Sequence, residues 1–151
     1  MEKVLVTGAT GYIALHCIHQ LLNQGYAVNG SLRSPERKDE IIEALKKDNT
    51  PVENLSLFTF NLTEDDGWDE GMEGCDFLLH VASPLSINTH DEDYFVKPAV
   101  SGVKRAFKFA KKHNVKKVIL TSSVAAILET GEDKQYFDET DWSDPESSEI
   151  S

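Results

Sequence analysis

The sequence predicts an α/β fold, a doubly wound open parallel sheet with strand order 3-2-1-4-5. Three observations carry that expectation. Short apolar, β-branched runs recur along the chain, each is followed by a stretch of helical apolar spacing, and the first run ends in the glycine-spaced turn "VTGATGYIA" from Val6 to Ala14. Strands that alternate with helices over such short intervals pair in parallel through right-handed crossovers, which places helices on both faces of the sheet.

Taken in order, Lys3 to Thr7 is a β-branched strand, and Ala14, Ile18, Leu21 and Leu22 then share one face of a helix that Gly25 ends. Ala27 to Leu32 is the second strand, with Arg33 at its C-terminal edge. Ser34-Pro35 opens a second helix, in which Ile41, Ile42 and Leu45 make the apolar face up to about Lys47. Leu55 to Leu62 alternates as a third strand. After the polar, glycine-punctuated "TEDDGWDEGMEGC" comes "DFLLHVA", with the near-continuous apolar look of a buried parallel strand. Tyr94 to His113 reads as a longer helix with Val96, Val100, Val103, Phe107 and Ala110 on one stripe, and "KKVILTSS", Lys116 to Ser123, is the fifth strand. Ligands of such sheets bind outside the strand C-termini, here at the switch point between the first and fourth strands.

At 151 residues and 40 % hydrophobic content the chain can bury one ordinary core. The formal net charge of −11 argues against nucleic acid and anionic membrane surfaces, which need a basic face. Nine of the acids fall within 129–151 against a single base, Lys134, so the expected organisation is a sheet domain over 1–128 and an acidic loop or tail over 129–151. Cys17 and Cys75 lie far apart and form neither a disulfide framework nor a zinc spacing. No stretch approaches the ~20 apolar residues of a bilayer span, and the N-terminus lacks a signal h-region, so a soluble cytoplasmic protein without metal is expected.

Gly8 directly follows the first strand and Gly11 precedes the first helix, so the backbone N–H groups at that helix start would face an anion with the helix dipole behind them. The competing reading is an ordinary βα turn. The spacing is G-x-x-G-x-x-A, with Ala14 in the place that close helix–strand packing gives to a third glycine. About twenty residues on, where an acid would bond the ribose 2′-hydroxyl, stands Arg33. Its guanidinium can fork onto a 2′-phosphate, unless it is only a solvated strand-end cation; Arg37 and Lys38 read as surface.

Together "VTGATGYIA", "LRSP", "GCDFLLHVASP" and "VKKVILTSS" resemble the extended short-chain dehydrogenase/reductases, in the dihydroflavonol-reductase-like branch of the NAD-dependent epimerase/dehydratase superfamily. The resemblance implies a Rossmann-type fold, truncated before its later strands and substrate domain. It implies that Gly8, Thr10, Gly11, Tyr12 and Ile13 wrap the pyrophosphate of NADP(H), that Arg33 meets the adenosine 2′-phosphate, and that Val81, Ala82 and Ser83 line the nicotinamide-side ribose. Where the family contacts adenine through a strand-three Asp-Leu pair, this chain has Asn61 and Leu62. In "TSS", Ser123 maps onto the catalytic hydroxyl and Ser122 onto a cofactor contact; without the family, two serines at a strand end are a turn signal.

The family's acid/base pair, Tyr-x-x-x-Lys, has no match: Tyr136, the only tyrosine after Ser123, is followed at the fourth place by Thr140. The expected function is therefore the NADP(H)-binding portion of a carbonyl reductase passing hydride between NADPH and a ketone or aldehyde, with the 151-residue chain alone inactive. NAD is the less favoured cofactor, and homodimerisation stays open. A nucleotide-sugar epimerase or dehydratase is the rival within the fold, against which Arg33 counts, and a nonenzymatic dinucleotide sensor is the rival of another class. His80 reads as a core residue, His16 and His19 as too isolated for a metal, and Trp68 and Trp142 as local packing.

Overall fold

The computed structural model describes residues 1–83, 92–128 and 134–144. The chain divides into two compact units, Met1–Leu120 and Thr121–Ser151. The first holds β1 (Lys3–Val6), α1 (Tyr12–Asn23), β2 (Ala27–Leu32), a 3₁₀ turn (Pro35–Arg37), α2 (Lys38–Lys47), β3 (Leu55–Thr59), α3 (Trp68–Met72), β4 (Phe77–His80), α4 (Glu92–Lys112) and β5 (Lys117–Leu120). All four strand pairs are parallel and the order is β3-β2-β1-β4-β5, as the alternation predicts.

Successive side chains of β1 point to opposite faces, and so divide the core in two. Val4 and Val6 pack with Ala14, Ile18 and Leu22 of α1 and with Ile41 and Leu45 of α2. Leu5, on the other face, joins Leu78, Phe60, Trp68, Met72, Ala106, Phe109 and Ala110. Trp68 is fully buried, its ring 4.6 Å from that of Phe60 and stacked 5.8 Å from that of Phe109, so it is local packing as expected.

Several elements differ from the expectation, each for a reason outside its own residues. The polar segment before β4 is not all loop but contains α3, started by Gly67 at φ +82° where an added Cβ would lie 2.7 Å from Phe60 Cβ. Trp68 and Met72, four apart, face the core while Glu70 between them is exposed and Asp69 turns to Lys112 and His113. The stripe on α4 is also turned: Val96, Val100 and Phe107 are about half exposed and Val103 is partly buried, while Ala110 is buried as expected, together with Gly102, Ala106 and Phe109. The small residues let the helix lie close to Leu62 and the sheet. Finally, β3, β4 and β5 end earlier than expected; β5 stops where its partner stops, at the pairing of His80 with Leu120.

In the second unit, α5 (Ala125–Leu128) is held to residue 143 by Ser143 N–H donating to Ala126 C=O at 2.8 Å and by Ser143 Oγ donating to Ala125 C=O at 2.5 Å. The one base of the acidic segment, Lys134, pairs with Asp141, whose carboxylate also accepts the Asp138 N–H at 2.9 Å and is driven below the usual carboxylate range by that lysine. Tyr136 and Trp142 are exposed. The rest of the expected acidic tail, 129–133 and 145–151, lies outside the described residues.

Candidate functional site: a cleft at the sheet switch point

The turn after β1 is built for close approach. Gly8 sits at φ +76°, and a Cβ there would lie 3.0 Å from Ala82 Cβ and 3.2 Å from Ala82 Cα, so the position needs glycine for both conformation and space. Its N–H donates to Ser31 Oγ at 3.1 Å, and the Ala9 N–H donates to Ser31 C=O at 2.7 Å, which ties the turn to the end of β2. Gly11 caps α1 with its N–H bonded back to Gly8 C=O at 2.8 Å. The N–H groups of Tyr12, Ile13 and Ala14 that follow have no intrahelical acceptor by the geometry of a helix start. Ala14 is buried in the core, so alanine is accommodated there. Gly30 of β2, not singled out in the sequence, leaves room for Leu57 and for Ala9 of the turn: a Cβ on it would lie 2.9 Å from Leu57 Cδ2 and 3.2 Å from Ala9 Cβ.

Thr7 holds the facing strand. Its hydroxyl oxygen accepts the N–H groups of Val81 and Ala82 at 3.1 and 3.0 Å, which draws the chain off the β4 ladder and brings Ala82 over Gly8. Both lone pairs are then used, so the hydroxyl proton points to His80 Nδ1, 3.0 Å away, and the ring is the Nε2–H tautomer. Burial pushes the His80 imidazole below its ordinary pKa. The core reading of His80 fits this environment.

Between these walls opens a cleft of about 950 Å³. It is lined by Gly8, Thr10, Gly11, Tyr12, Ile13 and Ala14 from the turn, by Ser31, Leu32 and Arg33 from the β2 end, by Phe60, Asn61, Leu62 and Thr63 after β3, and by Val81, Ala82 and Ser83 after β4. Lys97, Pro98 and Ser101 of α4 complete it, and the sequence had not pointed to them. The site lies between the C-terminal ends of β1 and β4, where the strand order reverses. Volume and walls suit an extended ligand.

Arg33 is exposed on the cleft and has no ion-pair partner among the described residues, whereas Arg37 is committed to Glu40, with Nε and Nη2 at 2.7 and 2.6 Å from the carboxylate. Glu40 raises the Arg37 pKa and is itself lowered by that bond. Arg37 therefore stays a surface residue, as its position in the sequence implies. Asn61 Oδ1 accepts the Thr63 N–H at 3.3 Å, which leaves its amide NH₂ to donate elsewhere.

Ser122 and Ser123 belong to the Thr121–Ser151 unit and are exposed, and Ser123 Oγ accepts the Ala125 N–H at 3.3 Å at the start of α5. That bond matches the turn role that serines at a strand end ordinarily have. Among the described residues no cluster of His, Cys, Asp or Glu has the composition of a metal site, and no helix is long and apolar enough to cross a membrane.

Known proteins resemble this chain in sequence and fold. The chain is 37 % identical over 147 residues to a putative anthocyanidin reductase of Ginkgo biloba, covering 93 % of this chain and 42 % of that protein. It is 32 % identical over 143 residues to the dihydroflavonol 4-reductase of Dianthus caryophyllus, covering 94 % and 39 %. Among solved structures, the yeast methylglyoxal/isovaleraldehyde reductase complexed with NADPH superposes with a TM-score of 0.81 at 32 % identity, covering 98 % of this chain and 45 % of that one. The chain thus spans about two fifths of the length of these curated relatives. Residues 4–148 match one family throughout, so this chain, with its switch-point cleft and glycine turn, belongs to the NAD dependent epimerase/dehydratase family, in its dihydroflavonol-reductase-like branch.

Proposed function

We propose that the chain is the NADP(H)-binding portion of a carbonyl reductase. One observation carries the reading. A cleft of dinucleotide size is lined both by the helix-start N–H groups of the glycine turn and by Arg33, which is free of ion pairs among the described residues. A dinucleotide with a 2′-phosphate presents a central pyrophosphate and a second anion on its adenosine ribose, and the fit at the turn depends on space that a Cβ at Gly8 would fill. In this reading the N–H groups of Thr10, Tyr12 and Ile13 donate to the pyrophosphate, Arg33 forks onto the 2′-phosphate, Asn61 and Leu62 flank the adenine, and Val81, Ala82 and Ser83 bound the nicotinamide-side ribose.

When bound, the cofactor supplies a hydride to a ketone or aldehyde carbon, a substrate class in keeping with the aldehyde reductase named among the structural relatives. Ser123 would donate its hydroxyl to the carbonyl oxygen and stabilise the charge that grows there, with Ser122 a cofactor contact. Protonation of that oxygen has no candidate here, since these residues contain no Tyr-x-x-x-Lys. The chain alone is therefore a binder and not a catalyst.

The test is a fluorescence titration of the protein with NADPH and NADH, repeated with Arg33→Asp. A charge-assisted pair worth about 1.5–3 kcal/mol makes NADPH tighter by roughly tenfold to a hundredfold, and the variant abolishes the preference. Equal affinities in the unaltered protein would refute the reading.

A further inference from the structure

Asn61, Leu62 and Thr63 form one wall of the cleft, yet they lie beyond the end of β3 and have no ladder to hold them. Other bonds hold them from behind. Trp68 Nε1 donates to Asn61 C=O at 3.0 Å. Arg105 reaches from α4: its Nη1 donates to Leu62 C=O at 2.5 Å and to Ser101 Oγ at 3.0 Å, while its Nε donates to Asp65 Oδ1 at 2.5 Å. The Arg105 side chain is only 17 % exposed, and Gly102, three residues earlier on the helix, lets α4 come so close that an added Cβ would lie 3.2 Å from Leu62 Cβ.

We propose that Arg105, which does not itself line the cleft, is a positioning residue for the adenosine half of the dinucleotide. The inference rests on the dinucleotide reading given above. One rigid guanidinium grips three points, the wall carbonyl of Leu62, the cleft residue Ser101, and Asp65 at the far end of the loop, and so sets the width between the β3–α3 loop and α4. A lysine offers a point charge and cannot fork in this way. Nor is charge what Asp65 lacks, because Lys108 already pairs with it and the two cations together hold its carboxyl well below the usual range. What Arg105 adds is the second N–H direction, toward Leu62.

The experiment titrates the full chain, Arg105→Lys and Asp65→Asn with adenosine 2′,5′-bisphosphate and, separately, with reduced nicotinamide mononucleotide. Amide hydrogen exchange is followed in the ligand-free proteins over 61–65 and 8–15. Arg105→Lys should weaken the adenosine ligand about tenfold, the loss of one charge-assisted bond, and leave the mononucleotide unchanged. It should speed exchange at 61–65 but not at 8–15. Asp65→Asn, which keeps the Leu62 bond, should cost no more than about twofold for the adenosine ligand, the scale of an exposed ion pair. Undiminished adenosine binding by Arg105→Lys overturns this proposal alone, and an equal loss for both ligands overturns it by showing general loosening. If the unaltered chain bound neither ligand, the dinucleotide reading and the role of Arg105 in it would fall together, even with exchange at 61–65 raised.

Discussion

Replacing Thr7 with valine keeps the shape of a fully buried side chain and deletes only its hydroxyl. That oxygen accepts from Val81 N and Ala82 N and bonds His80 Nδ1, so three groups lose their partner at once. Each buried polar group left unpaired costs about 1–3 kcal/mol, and because Val81 and Ala82 are only half-buried the lower figure applies, for a total of about 3 kcal/mol. For a domain of this size, whose whole stability is about 5–15 kcal/mol, that is a large share and lowers the melting temperature by roughly 10 °C. Thr7→Ser keeps the hydroxyl and loses one methyl group, for about 1 kcal/mol. Urea unfolding followed by the fluorescence of Trp68, whose ring lies 6.2 Å from that of His80, reads the change. A Thr7→Val loss below about 1 kcal/mol, or a Thr7→Ser loss as large, would refute the three-bond account.

Burial lowers the His80 pKa, so the folded state prefers the neutral ring while the unfolded chain takes up a proton below about pH 6.5; the stability His80 contributes is complete above that value and is lost as the pH falls through its folded pKa. His80→Asn should flatten the stability curve below about pH 6.5, and an unchanged slope would exclude this cause. Gly8 and Gly25 both have positive φ, +76° and +84°, but only Gly8 faces a neighbour, so Gly8→Ala should destabilise by about 1–3 kcal/mol more than Gly25→Ala, the cost of overpacking against Ala82. Equal losses in thermal melts would show that Ala82 yields.

Much of the candidate site could be read in one dimension because its parts follow strand ends. The glycine turn, Arg33, the Asn61-Leu62 pair and Val81 to Ser83 each stand just past a strand, and once parallel pairing is granted those ends lie on one edge of the sheet. Contributions from the middle of elements were not legible. Gly30 lies inside β2, Lys97, Pro98 and Ser101 lie along α4, and Arg105 acts through the backbone of a loop some forty residues earlier.

By itself, the sequence determined the parallel order, the two-sided core and the glycine turn after the first strand, because period, β-branching and glycine spacing act within a few residues. Only the tertiary structure decided which face of α4 turns inward. Two faces at helical spacing compete there, and the bulkier residues of the expected stripe, Val96, Val100 and Phe107, lost to Gly102, Ala106 and Phe109, with Ala110 buried as expected. Close approach to Leu62 requires small side chains, and that rotation also brings Arg105 and Lys108 to Asp65, and Lys112 and His113 to Asp69. It likewise decided that Trp68, set among acids in the sequence, would fill the space under Phe60. A helix of five residues has too little periodicity to announce itself, and it forms because the sheet presents an apolar face for Trp68 and Met72 to cover.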